Sequence, residues 1–280
     1  MRHFLIALVF LFSTSLAWAS DFSSLENEYQ GRLGIFAIDT SNQYTIEYKS
    51  KERFPFDSTF KVNLVGAILK KSESDPDFLT KLVHYTQADL NQSGYAPITS
   101  KHLKEGMTIE ELCAAAISYS DSAAANLLIH ELGGTLKVTE FARSLGDESF
   151  RLDREEPDLN SNIPGDDRDA STPEAMTEDL NKIVLGKVLE PEQQKLIQTW
   201  LQQNTTGNER IRAGVPINWT VGDKTGTGAR VMGDIAVLWP PNHPPLVLVI
   251  YFEKLNMDQQ FDNKIMAQAA RLAIQKLSAS

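Results

Sequence analysis

The chain has 280 residues, of which 42% are hydrophobic and 23% charged, a balance typical of a globular protein with one or two domains rather than a disordered or collagen-like chain. Asp and Glu outnumber Lys and Arg by 37 to 27, and the net charge of −10 argues against nucleic acid or an anionic membrane surface as the main partner. The single cysteine, Cys113, excludes an internal disulfide and any zinc or iron–sulfur site built from several cysteines.

The first 19 residues are predicted to be a secretory signal peptide. Arg2 and His3 precede an apolar run at 4–12, and Ala-Trp-Ala at 17–19 is typical of a cleavage site. The run is shorter than the ~20 residues that a membrane-spanning helix needs. We therefore expect cleavage near Ala19, a periplasmic protein, and no attachment to the membrane afterwards.

The remaining chain has β-like ends and a helical middle. Short β-like runs at 32–39 and 44–48 flank the turn residues Ser41 and Asn42. An Ala-rich stretch then predicts two helices that meet around Ser120. Further helices are predicted at 175–185, 191–202 and 263–277, and further strands at 219–223, 235–239 and 246–252.

Residues 151–169, rich in Pro and acidic residues, predict a long ordered loop, and loops of this length in compact domains are usually functional or disordered. The simplest arrangement has two domains. Residues 20–50 and 204–280 would form a discontinuous α/β domain whose sheet is built from both ends of the chain, and residues 51–203 would form an inserted helical domain that includes the loop.

Ser58 and Lys61 form the first of three clusters that indicate serine chemistry. On a helix, residues three apart share a face, so the Ser58 hydroxyl and the Lys61 amine can meet. A serine is a weak nucleophile until a base takes its proton, and a lysine whose pKa is lowered by burial can be that base. Alone, the pair favours an ordinary helix start with Ser58 near the N-cap.

The second cluster, Ser120-Asp121-Ser122, lies between the two Ala-rich helical patterns. Ser and Asp are typical helix caps at such a place. A second serine near the nucleophile has another use, because it can relay a proton to a leaving group.

The third cluster is the run from Lys224 to Gly228, which follows a β-like segment. Its cation and the hydroxyls of Thr225 and Thr227 can grip a carboxylate, and Gly226 lets a substrate backbone come close. Alone, the run is typical of a tight turn between strands.

Together and in this order, S-x-x-K, S-D-S and K-T-G resemble the motif set of class A serine β-lactamases and penicillin-binding proteins. Residues 151–160, with Glu-Pro-x-Leu-Asn at their end, and 165–173 also resemble the Ω-loop of class A β-lactamases. The likeness to this family runs from about Ser20 to the C-terminus. It implies a β-lactamase/transpeptidase-like fold of the α/β plus all-α class, with helices flanking an antiparallel sheet. It also implies that the protein acts on β-lactams as a monomer, without a metal or an organic cofactor.

The resemblance implies a role for each residue of the site. Ser58 would attack the lactam carbonyl to form an acyl-enzyme, Lys61 would help to activate it, and Ser120 would protonate the leaving nitrogen. Glu156 would activate the deacylating water, which Asn160 also holds; whether Lys61 or Glu156 is the base in acylation stays open. The resemblance also implies an oxyanion hole formed by the backbone N–H groups of Ser58 and Thr227, and an ion pair of Arg154 with Asp169 that closes the loop. It further implies that the substrate is contacted by Tyr95, Ser122, Lys224, Thr225, Gly226 and Thr227.

The chain departs from the family's pattern at several positions. Ser122 stands where the family usually has Asn, which weakens the expected contacts to the substrate amide and to Lys61. Cys113 matches one half of a common disulfide whose other half is here Val65, so we expect a buried free thiol. Asp57 and Gly228 replace the cysteines of several carbapenem-hydrolysing members.

The position of the arginine that binds the substrate carboxylate is also unusual. Many members carry it on the strand after the K-T-G run, where this chain has no obvious match. Arg210 fits the position from which other members supply this charge, and Arg230 is the alternative; we expect Arg210.

Three other functions are the alternatives to β-lactam hydrolysis. A penicillin-binding D,D-peptidase shares the serine, the lysine and K-T-G, but Glu156 within Glu-Pro-x-Leu-Asn argues against it. A β-lactam sensor that acylates without fast turnover stays open. A metallo-hydrolase is disfavoured, because the histidines show no H-x-H or H-E-x-x-H spacing.

Overall fold

A computed structural model describes residues 21–279 of the chain. The predicted signal peptide, residues 1–19, lies outside the described residues. The helices are α1 (21–29), α2 (Lys61–Ser72), α3 (Gln87–Ser93), α4 (Ile109–Ser118), α5 (Ser122–Leu132), α6 (Thr135–Ser144), α7 (Pro173–Val184), α8 (Pro191–Gln202), α9 (Ile211–Gly214) and α10 (Lys264–Leu277). The strands are β1 (Gly31–Asp39), β2 (Tyr44–Tyr48), β3 (Phe54–Pro55), β4 (Leu82–Val83), β5 (Met107–Thr108), β6 (Ala170–Ser171), β7 (Thr220–Thr227), β8 (Val231–Trp239) and β9 (Leu246–Lys254).

The main sheet has five antiparallel strands in the order β2-β1-β9-β8-β7. Strand β1 pairs along its whole length with β9, from Gly31 opposite Lys254 to Asp39 opposite Leu246. The sheet is thus built from both ends of the chain, as predicted, and β7, which bears the third motif, is an edge strand.

Helices cover both faces of the sheet, and the apolar composition of the strands reflects this burial. Successive side chains of a strand point to opposite faces. In β1, Leu33 and Ile35 pack in the apolar cluster with helices α1 and α10, whereas Phe36 and Ile38 pack in the other cluster, which includes α7 and the helical middle of the chain. Two-sided burial explains why these strands are almost continuously apolar rather than alternating.

Side chains of the expected types define several helix ends. Thr108 and Glu111 form a capping box at the start of α4, and Thr172 caps α7 just before a proline at its first position. Helix α5 ends at Gly133, whose backbone is left-handed with a φ of +106°. These local signals placed the predicted helix boundaries to within a few residues.

Some predicted boundaries were wrong. Strand β7 continues through Lys224 to Thr227, so the K-T-G run lies within a strand and not in a turn. Strand β8 begins at Val231, four residues before its predicted start at Ile235, because the β7–β8 connection is short. Of the described residues, no helix is both long and apolar enough to cross a membrane. The division into two domains stays a prediction.

Asp121 lies between helices α4 and α5, and its side chain helps to hold the connection between them. Its fully buried carboxylate accepts hydrogen bonds from the backbone N–H groups of Ile98, Thr99 and Ala124, each at 2.9 Å. We expect Asp121→Ala to lower the free energy of unfolding by about 3 kcal/mol or more, since it removes a helix cap and leaves buried donors without a partner. Chemical denaturation measures this.

Thr86→Ala is the matched control, because Thr86 caps α3 at an exposed position. It should cost only about 1 kcal/mol. Equal losses in the two variants would contradict a structural role for Asp121 beyond ordinary capping.

Candidate active site

Ser58 lies in a 3-10 turn, Asp57–Phe60, that leads directly into α2. Ser58 thus lies at a helix start, as predicted, and the 3-10 turn brings residues three apart to one side. The turn packs against β7, where a Cβ atom at Gly226 would lie 2.7 Å from the carbonyl oxygen of Phe56 and 3.1 Å from the amide nitrogen of Ser58. Only glycine allows so close an approach.

Ser58, Lys61 and Glu156 form a closed triangle of polar contacts. Lys61 Nζ lies 3.0 Å from Ser58 Oγ and 3.0 Å from Glu156 Oε1, and Ser58 Oγ donates to the same carboxylate oxygen at 3.1 Å. The side chains of Lys61 and Glu156 are 0% and 1% exposed. Both potential bases are therefore within reach of the serine proton.

Two asparagines hold Glu156. Asn160 Nδ2 donates to carboxylate oxygen Oε2. Asn126 donates to the backbone carbonyl of Glu156 at 2.9 Å and accepts its N–H at 3.0 Å. Burial raises the pKa of Glu156, but the Lys61 charge and the hydrogen bonds from Lys61, Asn160 and Ser58 outweigh burial, so the pKa lies below its usual value. Glu156 is thus a carboxylate at neutral pH.

Ser120 contacts both lysines of the site. Lys224 Nζ donates to Ser120 Oγ at 2.9 Å, and Lys61 Nζ lies 3.5 Å from the same hydroxyl and donates to the Ser120 carbonyl oxygen at 2.8 Å. Ser120 has a left-handed backbone, with a φ of +58°, between α4 and α5. Burial, and then the neighbouring charge of Lys61, lower the pKa of Lys224 well below its usual value. Lys224 therefore gives up a proton more readily than an exposed lysine does.

The hydroxyls of β7 are held by partners from outside the strand. Thr227 Oγ1 accepts a hydrogen bond from Arg210 Nη2 at 2.7 Å, and Thr225 Oγ1 lies 2.6 Å from Thr206 Oγ1. Arg210 Nη1 also donates to the carbonyl oxygen of Gly226 at 2.9 Å. A cation thus lies directly beside the two hydroxyls.

Arg230 is directed elsewhere. Its guanidinium contacts the Lys254 carbonyl oxygen at 3.3 Å and Glu253 at 3.8 Å, on the β8–β9 side of the sheet. Arg210, in contrast, lines the cleft beside Ser58. Of the two arginines considered from the sequence, the structure brings Arg210 to the site.

These groups open into one cleft of about 320 Å³. Tyr95 stands at its rim with 53% of its surface exposed. Larger grooves, of about 480 and 800 Å³, lie away from these groups. The residues that line the cleft are Ser58, Tyr95, Ser120, Ser122, Glu156, Asn160, Thr206, Arg210, Thr225 and Thr227.

Ser122 makes only a weak form of the contact to Lys61 that is expected at this position. Its hydroxyl accepts a hydrogen bond from Lys61 Nζ at 3.4 Å, long for such a bond, and its N–H donates to the carbonyl oxygen of Tyr95 at 2.8 Å. The short side chain therefore bonds Lys61 weakly, while its backbone fixes Tyr95 at the rim.

The loop at 151–169 is ordered and is closed by an ion pair. Arg154 Nε lies 2.5 Å from Asp169 Oδ2, and Asp169 Oδ1 accepts the backbone N–H groups of Asp153 and Arg154 at 2.8 and 2.9 Å. The Asp169 side chain is only 1% exposed. This pair joins the two ends of the loop on which Glu156 and Asn160 lie.

Two residues of the site were not found from the sequence. Asn126 follows Ser122 by one helical turn on α5, so the i, i+4 spacing could have placed it on the same face. Thr206 lies in the segment between α8 and α9, where the sequence predicted a site residue only at Arg210. Contacts between segments far apart in the chain revealed both.

Other chemistry-bearing residues lie elsewhere. Cys113 is a buried free thiol, as predicted, and burial raises its pKa. His130 lies 3.0 Å from Glu155, and His243 lies 3.4 Å from Asp39, both with partly exposed side chains. Within residues 21–279, no cluster of three or more His, Cys, Asp or Glu side chains is arranged to hold a metal ion.

Comparisons with known proteins point to one family. Residues 17–277 match the model of the β-lactamase enzyme family. β-Lactamase OXY-2 of Klebsiella oxytoca is 47% identical over 278 residues, covering 97% of this chain and 95% of that protein. The crystal structure of a β-lactamase from Desulfarculus baarsii superposes with a TM-score of 0.92 at 46% identity, covering 95% and 99% of the two chains. A variant of the last common ancestor of the class A β-lactamases of Gram-negative bacteria gives 0.89 at 43% identity, covering 94% and 99%.

The closure of the loop can be tested through Asp169. We expect Asp169→Ala to lower the free energy of unfolding by roughly 3 kcal/mol, because it leaves Arg154 and two backbone donors without their buried partner. The loop should also become sensitive to protease. Denaturant unfolding and limited proteolysis measure the two effects.

Asp167→Ala is the control, since that side chain is 75% exposed. Its unfolding free energy should stay within about 0.5 kcal/mol of the wild type. If both variants resist the protease equally, the Arg154–Asp169 pair does not hold the loop.

Proposed function

The chain belongs to the class A β-lactamases, enzymes that hydrolyse the β-lactam ring and so confer resistance to these antibiotics, and we propose that it does so through a Ser58 acyl-enzyme that Glu156 helps to hydrolyse. The carrying observation is the buried contact of Ser58 with both Lys61 and Glu156. It provides a nucleophile, two candidate bases and a carboxylate for the second half of the reaction.

In acylation, Ser58 Oγ attacks the lactam carbonyl carbon and gives up its proton. Glu156 can take this proton directly, or Lys61 can take it after passing its own proton to Glu156, since the contacts of Ser58 Oγ with the two groups are similar, at 3.1 and 3.0 Å. The developing oxyanion would be bound by the N–H groups of Ser58 and Thr227, and loss of one such donor typically costs about 10²–10³ in rate. When the C–N bond breaks, Ser120 Oγ gives its proton to the nitrogen and is resupplied from Lys224 at 2.9 Å.

In deacylation, the ester on Ser58 is hydrolysed by a water molecule. Glu156 takes a proton from this water as it attacks, and Asn160, bonded to the other carboxylate oxygen, fixes the direction of that group. The lowered pKa of Glu156 keeps it charged, and therefore able to act as a base, well into the acid range. Ser58 Oγ leaves with the proton returned through the same contacts.

The carboxylate that β-lactams carry would be bound at the β7 end of the cleft. Thr225 and Thr227 provide hydroxyls, Lys224 provides a hydrogen-bond donor, and Arg210 provides positive charge. Gly226 keeps this end of the strand close to Ser58, and Ser122 and Tyr95 line the opposite side of the cleft.

Glu156 is also the feature that separates hydrolysis from the two alternatives. A D,D-peptidase, or a sensor that stays acylated, has no need for a buried carboxylate held by two asparagines beside the nucleophile. The arrangement around Glu156 therefore favours turnover. We further propose that residues 1–19 direct the protein to the periplasm, and that it works there as a monomer without metal, nucleic acid or membrane partners.

Glu156→Ala tests the two-step reaction. Deacylation should slow by about 10²–10⁴, because the general base is lost. Intact-protein mass spectrometry during turnover of a chromogenic cephalosporin should then show a stable adduct on the variant and none persisting on the wild type.

Asp158→Ala is a matched control in the same loop, since that side chain is exposed and does not line the cleft. It should turn over normally. A long-lived adduct on the wild type would instead support the sensor or peptidase alternative for that substrate.

Arg210→Ala tests carboxylate recognition. The KM for carboxylate-bearing substrates should rise about tenfold or more, as expected for a lost charge-assisted contact. Steady-state kinetics of Arg210→Ala and of Arg230→Ala measure it, and only the first should change. An unchanged KM in Arg210→Ala would remove that residue from the binding site.

A further inference from the structure

Asp57, directly before the nucleophile, is a buried acid that forms no ion pair with any residue in the described range 21–279. Its side chain is fully buried, and its backbone is left-handed, with a φ of +45°. Aspartate tolerates this conformation better than most residues, but it still carries a cost. The turn therefore directs Asp57 away from the cleft while Ser58 faces into it.

One hydrogen bond accounts for the position of the Asp57 carboxyl group. Asn162 Nδ2 donates to Asp57 Oδ1 at 2.8 Å, and Asp57 Oδ2 has no hydrogen-bond partner among the described residues. The fit is tight, because a Cβ atom at Gly228 would lie 2.3 Å from Asp57 Oδ1. The carboxyl group is thus enclosed between the nucleophile turn, the loop and the end of β7.

The same Asn162 side chain also forms hydrogen bonds to the β7–β8 turn. Its Oδ1 accepts the backbone N–H groups of Arg230 at 3.0 Å and Val231 at 3.1 Å. Two residues earlier, the carbonyl oxygen of Asn160 accepts the N–H of Ala229 at 3.0 Å. Since the Asn160 side chain bonds the Glu156 carboxylate, a continuous series of hydrogen bonds runs from Asp57 to Glu156.

The surroundings of Asp57 disfavour a charge on it. Burial raises its pKa most strongly, well above the usual value, and the charges of Glu156 and Asp169 raise it further. The Asn162 hydrogen bond and the positive charge of Arg210 act in the other direction but do not outweigh these effects. On the sheet side, the buried phenol of Tyr251, whose pKa burial raises, adds no charge near Asp57.

We propose, resting on the function proposed above, that Asp57 is a positioning residue that acts as a neutral carboxylic acid. Through Asn162 it ties the turn that bears Ser58 to the loop that bears Glu156, and both to the end of β7. This tie fixes the separation between the acyl-ester on Ser58 and Glu156, its deacylating base. Because Asp57 is neutral, it does not repel the Glu156 carboxylate.

Three variants separate this role from general damage to the fold. Asp57→Asn keeps the shape of the side chain and an acceptor for Asn162 but cannot be charged. Asp57→Ala and Asn162→Ala each remove the tie. Acylation and deacylation are timed separately by quench-flow and intact-protein mass spectrometry, using the chromogenic cephalosporin, with wild type and Glu156→Ala alongside.

We expect Asp57→Asn to deacylate within about twofold of the wild type at pH 7. Asp57→Ala and Asn162→Ala should deacylate about ten- to a hundredfold more slowly, as for a misplaced catalytic group, while acylation changes less than about threefold. Unchanged deacylation in Asn162→Ala, or equal slowing of both steps, would overturn the proposal. If Asp57→Ala does not fold, Asn162→Ala and Asp57→Asn still decide the question.

The protonation state is tested by thermal unfolding over pH 4–9. The native Asp57 holds its proton to higher pH than the unfolded one, so the wild type loses stability relative to Asp57→Asn as pH rises from about 4, the ordinary Asp pKa. The Tm of Asp57→Asn should therefore exceed that of the wild type increasingly with pH. A Tm difference that does not vary with pH would overturn the neutral state. Absence of any Ser58 adduct, or rapid turnover by Glu156→Ala, would instead defeat the proposed function.

Discussion

The ion pair of Lys61 with Glu156 is the interaction on which the rest of the site depends. Removing two charges from water costs several kcal/mol per ion, and the cost is offset only if the pair is well aligned and its remaining hydrogen-bonding groups are satisfied. Ser58, Asn160 and the Ser120 carbonyl oxygen satisfy them here. Ser58 and Asn160, which help to make the pair tolerable, are thus also residues that the proposed reaction uses.

The pair also explains why the loop is fixed so firmly. Glu156 reaches Lys61 only if residues 151–169 hold one conformation, and three separate contacts hold them. These are the ion pair of Arg154 with Asp169, the Asn126 clamp on the Glu156 backbone, and the hydrogen bonds to the β7–β8 turn. The first lies within the loop, the second comes from α5 and the third from the end of the sheet, so several parts of the fold position the carboxylate.

The sequence allowed much of this to be predicted, for identifiable reasons. The three motifs, the antiparallel sheet from both ends and most helices followed from local patterns, because caps, prolines and apolar periodicity are local. The failures involve non-local packing. Strand β7 extends through the K-T-G run because β8 pairs with it, and Asn126 and the Asp57–Asn162 bond become visible only when distant segments meet. The roles of the site residues stay proposals.

The pairing of β1 with β9 has a consequence for how the chain reaches this state. During synthesis β1 emerges early, yet the strand that covers its edge is among the last parts of the chain to be made. Long-range pairings of this kind form slowly, and an unpaired apolar strand is prone to associate with other chains. The helical middle and the pairing of β1 with β2 can form earlier, but the other edge of β1 must wait for the C-terminal strands. The cleft, whose edge is β7, can close only after nearly the whole polypeptide has been released.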